Sequence, residues 1–244
     1  MKIRPRSRVR NKLSHLLLKW RRVVENARGG DYYQTGEKSF IEDFAASYKA
    51  KKPVIFDVGA NIGTWSAMVE NEIVKQGGVA VVYAFEPVAE YKGNAFALEK
   101  AVISETSGTV TMRKWKNTDQ SSLYERRTTL VKQGQPELVT VPAMRLDSYI
   151  EKHGITHIDL LKVDVEGHEL SVLKSLGKYL RPDFISYIQF EYGPTYVDAS
   201  AYLLDMYQLL KDYRICKMFP NHLEVSPYQS NFEDFTFTNY VALK

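Results

Sequence analysis

Ionisable side chains crowd the end of one apolar run in the second half of the chain: Lys162, Asp164, Glu166 and His168. A further carboxylate, Glu191, ends the next apolar run. Such clusters beside a buried strand are typical of sites that move protons. His168 is our first candidate for a catalytic base because the unperturbed pKa of histidine is near neutrality. Asp164, Glu166 and Glu191 are the other candidates.

Two further interpretations of these carboxylates stay open. Asp164, Glu166 and Glu191 together could hold a Mg²⁺ ion that lowers the pKa of a substrate hydroxyl, because this hard cation prefers oxygen ligands. Alternatively, the acids form salt bridges at the strand end or face solvent and take no part in catalysis. The sequence is compatible with a base, a metal ligand and a structural role.

A glycine-rich turn follows an earlier apolar run, with the sequence Asp57-Val58-Gly59-Ala60-Asn61-Ile62-Gly63. Glycines allow close backbone approach, and a following helix directs N–H groups and partial positive charge at a ligand. The spacing differs from the dinucleotide fingerprint and from the phosphate loop. An acid at the strand end would repel a pyrophosphate, but it suits a ligand's ammonium group, while the N–H groups suit a carboxylate. The simpler interpretation is a tight turn with a capping asparagine.

A second acidic strand end, Glu86-Pro87, lies 29 residues beyond Asp57. A carboxylate at this place can accept both hydroxyls of a ribose; the alternative is a solvated strand end. A ligand with a ribose, an ammonium–carboxylate end and no phosphate is S-adenosylmethionine, whose adenine we expect near 101–104. We therefore predict a cofactor site formed by Asp57, Gly59, Ala60, Asn61, Gly63, Glu86, Pro87 and Val102.

The frame that positions these residues follows from the alternation of buried apolar runs with helical patterns. This alternation predicts a doubly wound α/β domain with a mostly parallel sheet, which binds ligands beyond the carboxyl ends of its strands. The expected core strands are 54–58, 79–85, 101–104, 158–163 and 185–191. The expected helices are 37–49, 63–75, 89–99, 146–152, 168–176 and 200–212. A β-excursion at 109–115 and 138–141 around a polar loop at 116–137, and a terminal strand pair at 214–219 and 235–243, complete the expectation.

Basic residues are concentrated at the N-terminus. Residues 1–28 hold ten Lys or Arg and one acid, a charge of +9 in a chain whose net charge is +4. We divide the chain into a basic extension, 1–30, with an amphipathic helix at 11–26, and a mildly acidic domain, 31–244. The helix predicts either peripheral contact of residues 1–28 with an anionic membrane or packing on the domain or a partner. The acidic domain argues against a nucleic-acid partner.

The remaining composition points to an ordinary globular protein. No apolar run is long enough to span a bilayer, and no secretory signal is visible. We therefore expect a cytoplasmic protein, peripheral to the membrane if its helix binds lipid. The single cysteine, Cys216, excludes an intrachain disulfide and is expected to be a packing residue.

The motifs resemble those of the FkbM family of S-adenosylmethionine-dependent methyltransferases. The resemblance is carried by 54–63, by Phe85-Glu86-Pro87, by 159–170 and by 239–242, and it covers about 53–244. It implies a seven-stranded, Rossmann-like class I methyltransferase sheet whose last strand is antiparallel. It also implies O-methylation, often of sugars in glycans, glycolipids or secondary metabolites.

The resemblance also implies roles for single residues. It assigns Asp57, Gly59, Asn61 and Glu86 to the cofactor and the acids 164 and 166 to the active edge. Many relatives have a small residue where this chain has His168, so a histidine base would be particular to this protein.

We therefore expect an O-methyltransferase that acts on a hydroxyl of a small-molecule or glycan acceptor. Two other classes stay open: a non-catalytic S-adenosylmethionine-binding or scaffold module on the same fold, and a nicotinamide-dependent oxidoreductase. The crowded edge at 162–169 counts against the first. Asp57 and the missing dinucleotide fingerprint count against the second. The loops at 116–137 and after Glu191 are expected to select the acceptor.

Overall fold

A twisted sheet forms the centre of the structure, a computed structural model that describes residues 8–27, 31–116, 120–126 and 135–244. In chain order the strands are β1 (Val54–Val58), β2 (Val81–Phe85), β3 (Ala97–Glu99), β4 (Val102–Ile103), β5 (Gly108–Lys114), β6 (Glu137–Met144), β7 (Ile158–Val163), β8 (Ile185–Tyr192), β9 (Arg214–Phe219), β10 (His222–Val225) and β11 (Thr238–Leu243). Eight of them form the main sheet in the order β10-β9-β11-β8-β7-β1-β2-β3, and β4-β6-β5 form a small second sheet.

Helices cover both faces of the main sheet. They are α1 (Arg8–Val24), α2 (Tyr32–Thr35), α3 (Glu37–Ser47), α4 (Thr64–Lys75), α5 (Leu146–His153), α6 (Glu169–Lys174), α7 (Thr195–Ala199) and α8 (Leu203–Leu209). On one face, α3 and α4 bury their apolar residues against Ile55 of β1 and Leu160 of β7. On the other face, α5, α6 and α8 pack on Phe56 and Leu161, which alternate with those residues. This is the predicted doubly wound α/β architecture.

The sheet topology brings the candidate residues to one edge. Strands β1, β2, β3, β7 and β8 are parallel, and the strand order reverses beside β1. Ligands of such sheets bind outside the carboxyl ends at this reversal. The segments that follow β1, β2, β7 and β8 therefore surround the position where a ligand is expected. The predicted antiparallel closing strand is confirmed as β11, which pairs with both β8 and β9.

Two predictions about the region after β2 were wrong. Residues 89–99 do not form a helix, and 97–99 instead form β3; the strand expected at 101–104 is β4, in the small sheet. The reason is local: the Glu86 carboxylate accepts the N–H groups of Val88 and Ala89, and the N–H of Lys92 bonds to Ile62, so these groups form turns. With β3 and the unpredicted hairpin strand β10, the main sheet has eight strands rather than seven.

Helix α8 is shorter than the prediction of 200–212, and the separate helix α7 precedes it. The predictions for α3, α4, α5, β7 and the β5–β6 excursion are confirmed within a few residues at each end. Parts of the polar loop at 116–137 lie outside the described residues. Among the helices of the described ranges, none combines the length and apolar content that crossing a bilayer requires.

Candidate functional site

The turn after β1 lies directly against the segment after β7. Gly59 has φ +85°, and a Cβ atom at this position would lie only 1.8 Å from the carbonyl oxygen of Asp164. The N–H of Asp164 in turn donates to the carbonyl of Val58 over 3.0 Å. Glycine is therefore required here by both the close contact and the left-handed backbone. The glycine-rich turn and the acidic edge form one continuous site.

Glu86 joins the end of β2 to the same turn. Its carboxylate accepts the N–H of Asn61 at 3.0 Å, of Val88 at 2.8 Å and of Ala89 at 2.7 Å. A carboxylate has about four acceptor positions, so Glu86 keeps room for one further hydrogen bond. Pro87 begins the turn that these bonds close.

The backbone amides of the turn are partly used within the protein. The N–H groups of Gly59 and Ala60 both donate to the carbonyl of Phe85 at the end of β2. Gly63 precedes α4 with φ +89°, and a Cβ there would lie 2.8 Å from the ring of Tyr91. Amides available to a ligand carboxylate are therefore those of the first turn of α4, where N–H groups have no partner within the helix.

Asp57 is fully buried beneath the turn and faces the chain's own ammonium group. Lys162 Nζ lies 3.7 Å from Asp57 Oδ1 and 3.0 Å from Asp164 Oδ2. Ser66 donates to Asp57 Oδ2 at 2.6 Å. Burial raises the pKa of Asp57, and the Lys162 ammonium opposes this shift. Lys162, which also lies 5.5 Å from the ring of Trp65, thus holds both acids at fixed places.

His168 immediately precedes α6, and both of its ring nitrogens are hydrogen-bonded. Its Nδ1 lies 2.8 Å from the hydroxyl of Tyr124, and its Nε2 lies 3.1 Å from the hydroxyl of Ser104. Burial lowers the pKa of His168 to about 4. The imidazole is therefore neutral near pH 7, and a substrate hydroxyl must replace one of its two hydroxyl partners to reach it.

Every second residue from Ser122 to Arg126 makes a side-chain contact with the loop that follows β7. Ser122 donates to the carbonyl of Glu166 at 2.9 Å, and Arg126 Nη2 lies 2.8 Å from Glu166 Oε2. The contact between Tyr124 and His168 lies between these two. We call these three contacts the excursion clasp. Glu166 has φ +58°, and the clasp holds this unfavourable backbone in place.

The magnesium site predicted from Asp164, Glu166 and Glu191 is not supported. Within the described ranges, no three His, Cys, Asp or Glu side chains are grouped so that they could hold a metal ion. The physical reason lies in their partners: Lys162 engages Asp164, and Arg126 engages Glu166. Cations of the protein therefore occupy positions that a metal would require.

Two acids of the edge, Glu191 and Glu169, have raised pKa values. Burial raises the pKa of Glu191 well above its usual range, and the charges of Asp164 and Glu166 raise it further. Burial also raises the pKa of Glu169 to about 8. Glu169 Oε1 accepts hydrogen bonds from the N–H groups of Val165 and Gly167. These two bonds fix the backbone of the loop that follows β7. Burial thus disfavours the charged form of both acids.

Val102, predicted to lie near an adenine, is buried with Met112 and Val141 in a cluster on the small sheet. The sequence placed Ser104 only near an expected adenine, and Tyr124 and Arg126 only in the loop expected to select the acceptor, so it missed their contacts with His168 and Glu166. Their only signal in the sequence was their position in or beside the irregular region between the core strands.

Comparison with known proteins yields one family and several distant structures. Residues 57–215 match the family described as the methyltransferase FkbM domain. The methyltransferase sdnD of Sordaria araneosa is 29% identical over a 162-residue alignment, with a coverage of 52% of this chain and 61% of that protein. The chain thus spans about three fifths of the length of this curated relative.

The solved structures are similar only at a distance. The plantazolicin methyltransferase BpumL, in complex with SAH, is 13% identical with a TM-score of 0.39, covering 98% of this chain and 91% of that chain. The precorrin-6y C5,15-methyltransferase from Geobacter metallireducens is 13% identical with a TM-score of 0.37, covering 83% and 87%.

Proposed function

Because the chain belongs to the FkbM methyltransferase family, we propose that it transfers the methyl group of S-adenosylmethionine to a hydroxyl oxygen. The proposed acceptor is a sugar hydroxyl of a glycan, a glycolipid or a glycosylated metabolite. The observation that carries the proposal is the backbone contact between Gly59 and Asp164, because it sets Asp164, whose carboxylate pairs with Lys162, beside the glycine turn where the methyl donor would bind.

The donor side of the site fits S-adenosylmethionine with two changes from the contacts expected from the sequence. Glu86 has room for one ribose hydroxyl rather than two, because three backbone N–H groups already bond to it. Lys162 already faces Asp57, so we propose that Asp57 shapes the turn through Lys162 and Ser66 rather than contacting the donor's ammonium. When bound, S-adenosylmethionine supplies an electrophilic methyl group on sulfur.

The acceptor side needs a group that orients the hydroxyl and removes its proton. We favour Asp164 over His168 for this role. The Asp164 side chain is 39% exposed, and Lys162 holds it at 3.0 Å. His168 is half-buried and occupied on both nitrogens. As the acceptor oxygen bonds to the methyl carbon and the sulfur–carbon bond breaks, Asp164 takes the hydroxyl proton.

Binding measurements test the donor first. Calorimetry is expected to detect binding of S-adenosylmethionine and of S-adenosylhomocysteine, and no binding of NAD. Binding of NAD alone would favour an oxidoreductase. Binding of the donor without methyl transfer to any acceptor of a glycan and metabolite panel would favour a scaffold module.

Transfer of a labelled methyl group tests the chemistry. Asp164→Asn is expected to lower kcat by about a hundred- to ten-thousand-fold with little change in donor affinity. Asp43→Asn, at an exposed position of α3, is the matched control and should leave kcat unchanged. An ether product survives alkaline treatment, whereas a methyl ester releases methanol. Release of methanol, or full activity of Asp164→Asn, would contradict the proposed hydroxyl chemistry.

A further inference from the structure

Helix α1 carries an apolar face that the domain does not cover. Spaced at helical intervals, its large apolar side chains are half or more exposed. They are Leu13 (56%), Leu16 (51%), Leu17 (60%), Trp20 (63%), Val23 (50%) and Val24 (68%). On a helical wheel these side chains fall within one arc of about 120°. An exposed apolar face of this kind marks an interaction surface.

Outside the apolar arc, the helix surface carries several cations and one further half-exposed leucine, Leu18 (49%). Between Arg8 and Val24 the sequence holds several Lys and Arg residues and no acid. Lys12, Lys19 and Arg22 are exposed, and Lys12 and Lys19 lie beside the apolar arc. The helix therefore presents apolar and positively charged side chains together.

Contacts with the domain come from the C-terminal part of α1 and its end. Arg21 donates to the carbonyl of Asn231 and lies 2.8 Å from Asp234. Just beyond the helix, Glu25 lies 2.7 Å from Lys217, and the Asn26 side chain donates to the carbonyl of Met218. These contacts fasten the helix without using its apolar arc.

We propose that α1 lies on a membrane surface that carries anionic lipid headgroups. The apolar arc would enter the boundary between headgroups and acyl chains, with Trp20 at the depth that tryptophan prefers. The flanking cations would attract the negative surface. A second copy of the helix would set like charges against each other, and a nucleic acid would leave the apolar arc in water.

The anchoring of α1 gives this surface a position relative to the site. Asp234 stands next to Glu233, which accepts the hydroxyl of Tyr192 at the end of β8. The helix is thus fastened at the carboxyl edge of the sheet, the edge that carries the site. A docked helix would hold this edge close to lipid. Membrane binding itself does not depend on the proposed methyl transfer and is measured without it.

Vesicle co-sedimentation of the full chain tests the proposal. We expect binding to vesicles of phosphatidylcholine with phosphatidylserine, weaker binding at high salt, and little binding to phosphatidylcholine alone. Leu16→Glu should weaken binding about tenfold or more. Leu18→Glu is the matched control, because residues two apart point to opposite sides of a helix and Leu18 lies outside the arc. Equal binding of the two variants would overturn the proposal.

Trp20 gives a second readout within the native sequence. Trp65 and Trp115 are buried, so a blue shift of fluorescence on adding anionic vesicles reports Trp20. The shift is expected in the wild type and absent in Trp20→Phe. An unchanged spectrum, self-association that buries Trp20 without lipid, or salt-sensitive binding to RNA but not to vesicles would each refute membrane docking.

Discussion

Glu86 accepts the backbone N–H of Asn61 at 3.0 Å, so the carboxylate that ends β2 is bonded to the turn that ends β1. In an isolated strand end this carboxylate would be solvated and mobile. Here it is buried and orders the turn before any ligand arrives. Preorganisation of this kind lowers the entropy cost of binding. The acid thus has a structural task as well as its proposed contact with a ribose.

The contact between Gly59 and Asp164 predicts a severe effect of Gly59→Ala. The added Cβ would lie 1.8 Å from a backbone oxygen, in a residue whose φ is +85°. We therefore expect the free energy of unfolding to fall by about 2–6 kcal/mol and donor binding to be lost. Gly77→Ala, at φ +77° with nothing within 4 Å, should cost only about 1–2 kcal/mol. Denaturant unfolding and calorimetry compare them. Equal effects would show that the close contact does not matter.

The ammonium group of Lys162 balances the negative charges of Asp57 and Asp164, and Asp57 is fully buried. Lys162→Met leaves Asp57 without its cation and should destabilise the fold by about 3–5 kcal/mol. Adding Asp57→Asn removes the uncompensated charge, so the double variant should regain part of this loss. The measurement is a double-mutant cycle of unfolding free energies. Strict additivity would show that the two groups do not interact.

The buried carboxyl of Glu169 predicts a pH dependence of stability. Its pKa is about 8 in the folded protein, above the value of about 4.3 expected when unfolded. The folded state therefore binds the extra proton, and this group's contribution is fully present below pH 4, falls between about pH 4 and 8, and is then constant. Glu169→Gln should flatten the profile and be more stable than wild type at pH 8. A variant that keeps the wild-type slope would contradict the assignment.

The neutral imidazole of His168 predicts a flat rate profile near neutrality. Because its pKa is about 4, this group stays unprotonated from about pH 6 to 8 and should give kcat no inflection there. His168→Gln should leave the shape of the profile unchanged in that range, even if it lowers kcat by loosening Tyr124. His222→Gln, on the exposed β9–β10 hairpin, controls for general effects. An inflection near pH 6.5 that only His168→Gln removes would restore His168 as the base.

The frame of the protein was predictable where apolar runs are strong and clearly bounded. Strand β7 was predicted at 158–163, where it lies, and α4 within one residue, because glycines, a proline or polar residues end these patterns. The helix expected at 89–99 failed for a local reason. Turn hydrogen bonds to Glu86 replaced the helical ladder, and periodicity alone does not reveal a carboxylate that accepts three N–H groups.

The candidate site was predictable in location but not in pairing. The topology brings Asp57, Glu86 and Asp164 to the reversal beside β1, as the strand pattern indicates. Which charges meet depends on contacts between distant segments. The pair of Arg126 and Glu166 spans 40 positions in the chain, and no spacing rule anticipates it.

The excursion clasp ties the choice of acceptor to the geometry of catalysis. Ser122, Tyr124 and Arg126 each hold the loop that follows Asp164. A graft that exchanges the excursion for that of a relative would therefore change the wall around the acceptor and the loop behind the proposed base at once. New substrate ranges in this scaffold should require paired changes in the two segments, so they would evolve together rather than one at a time.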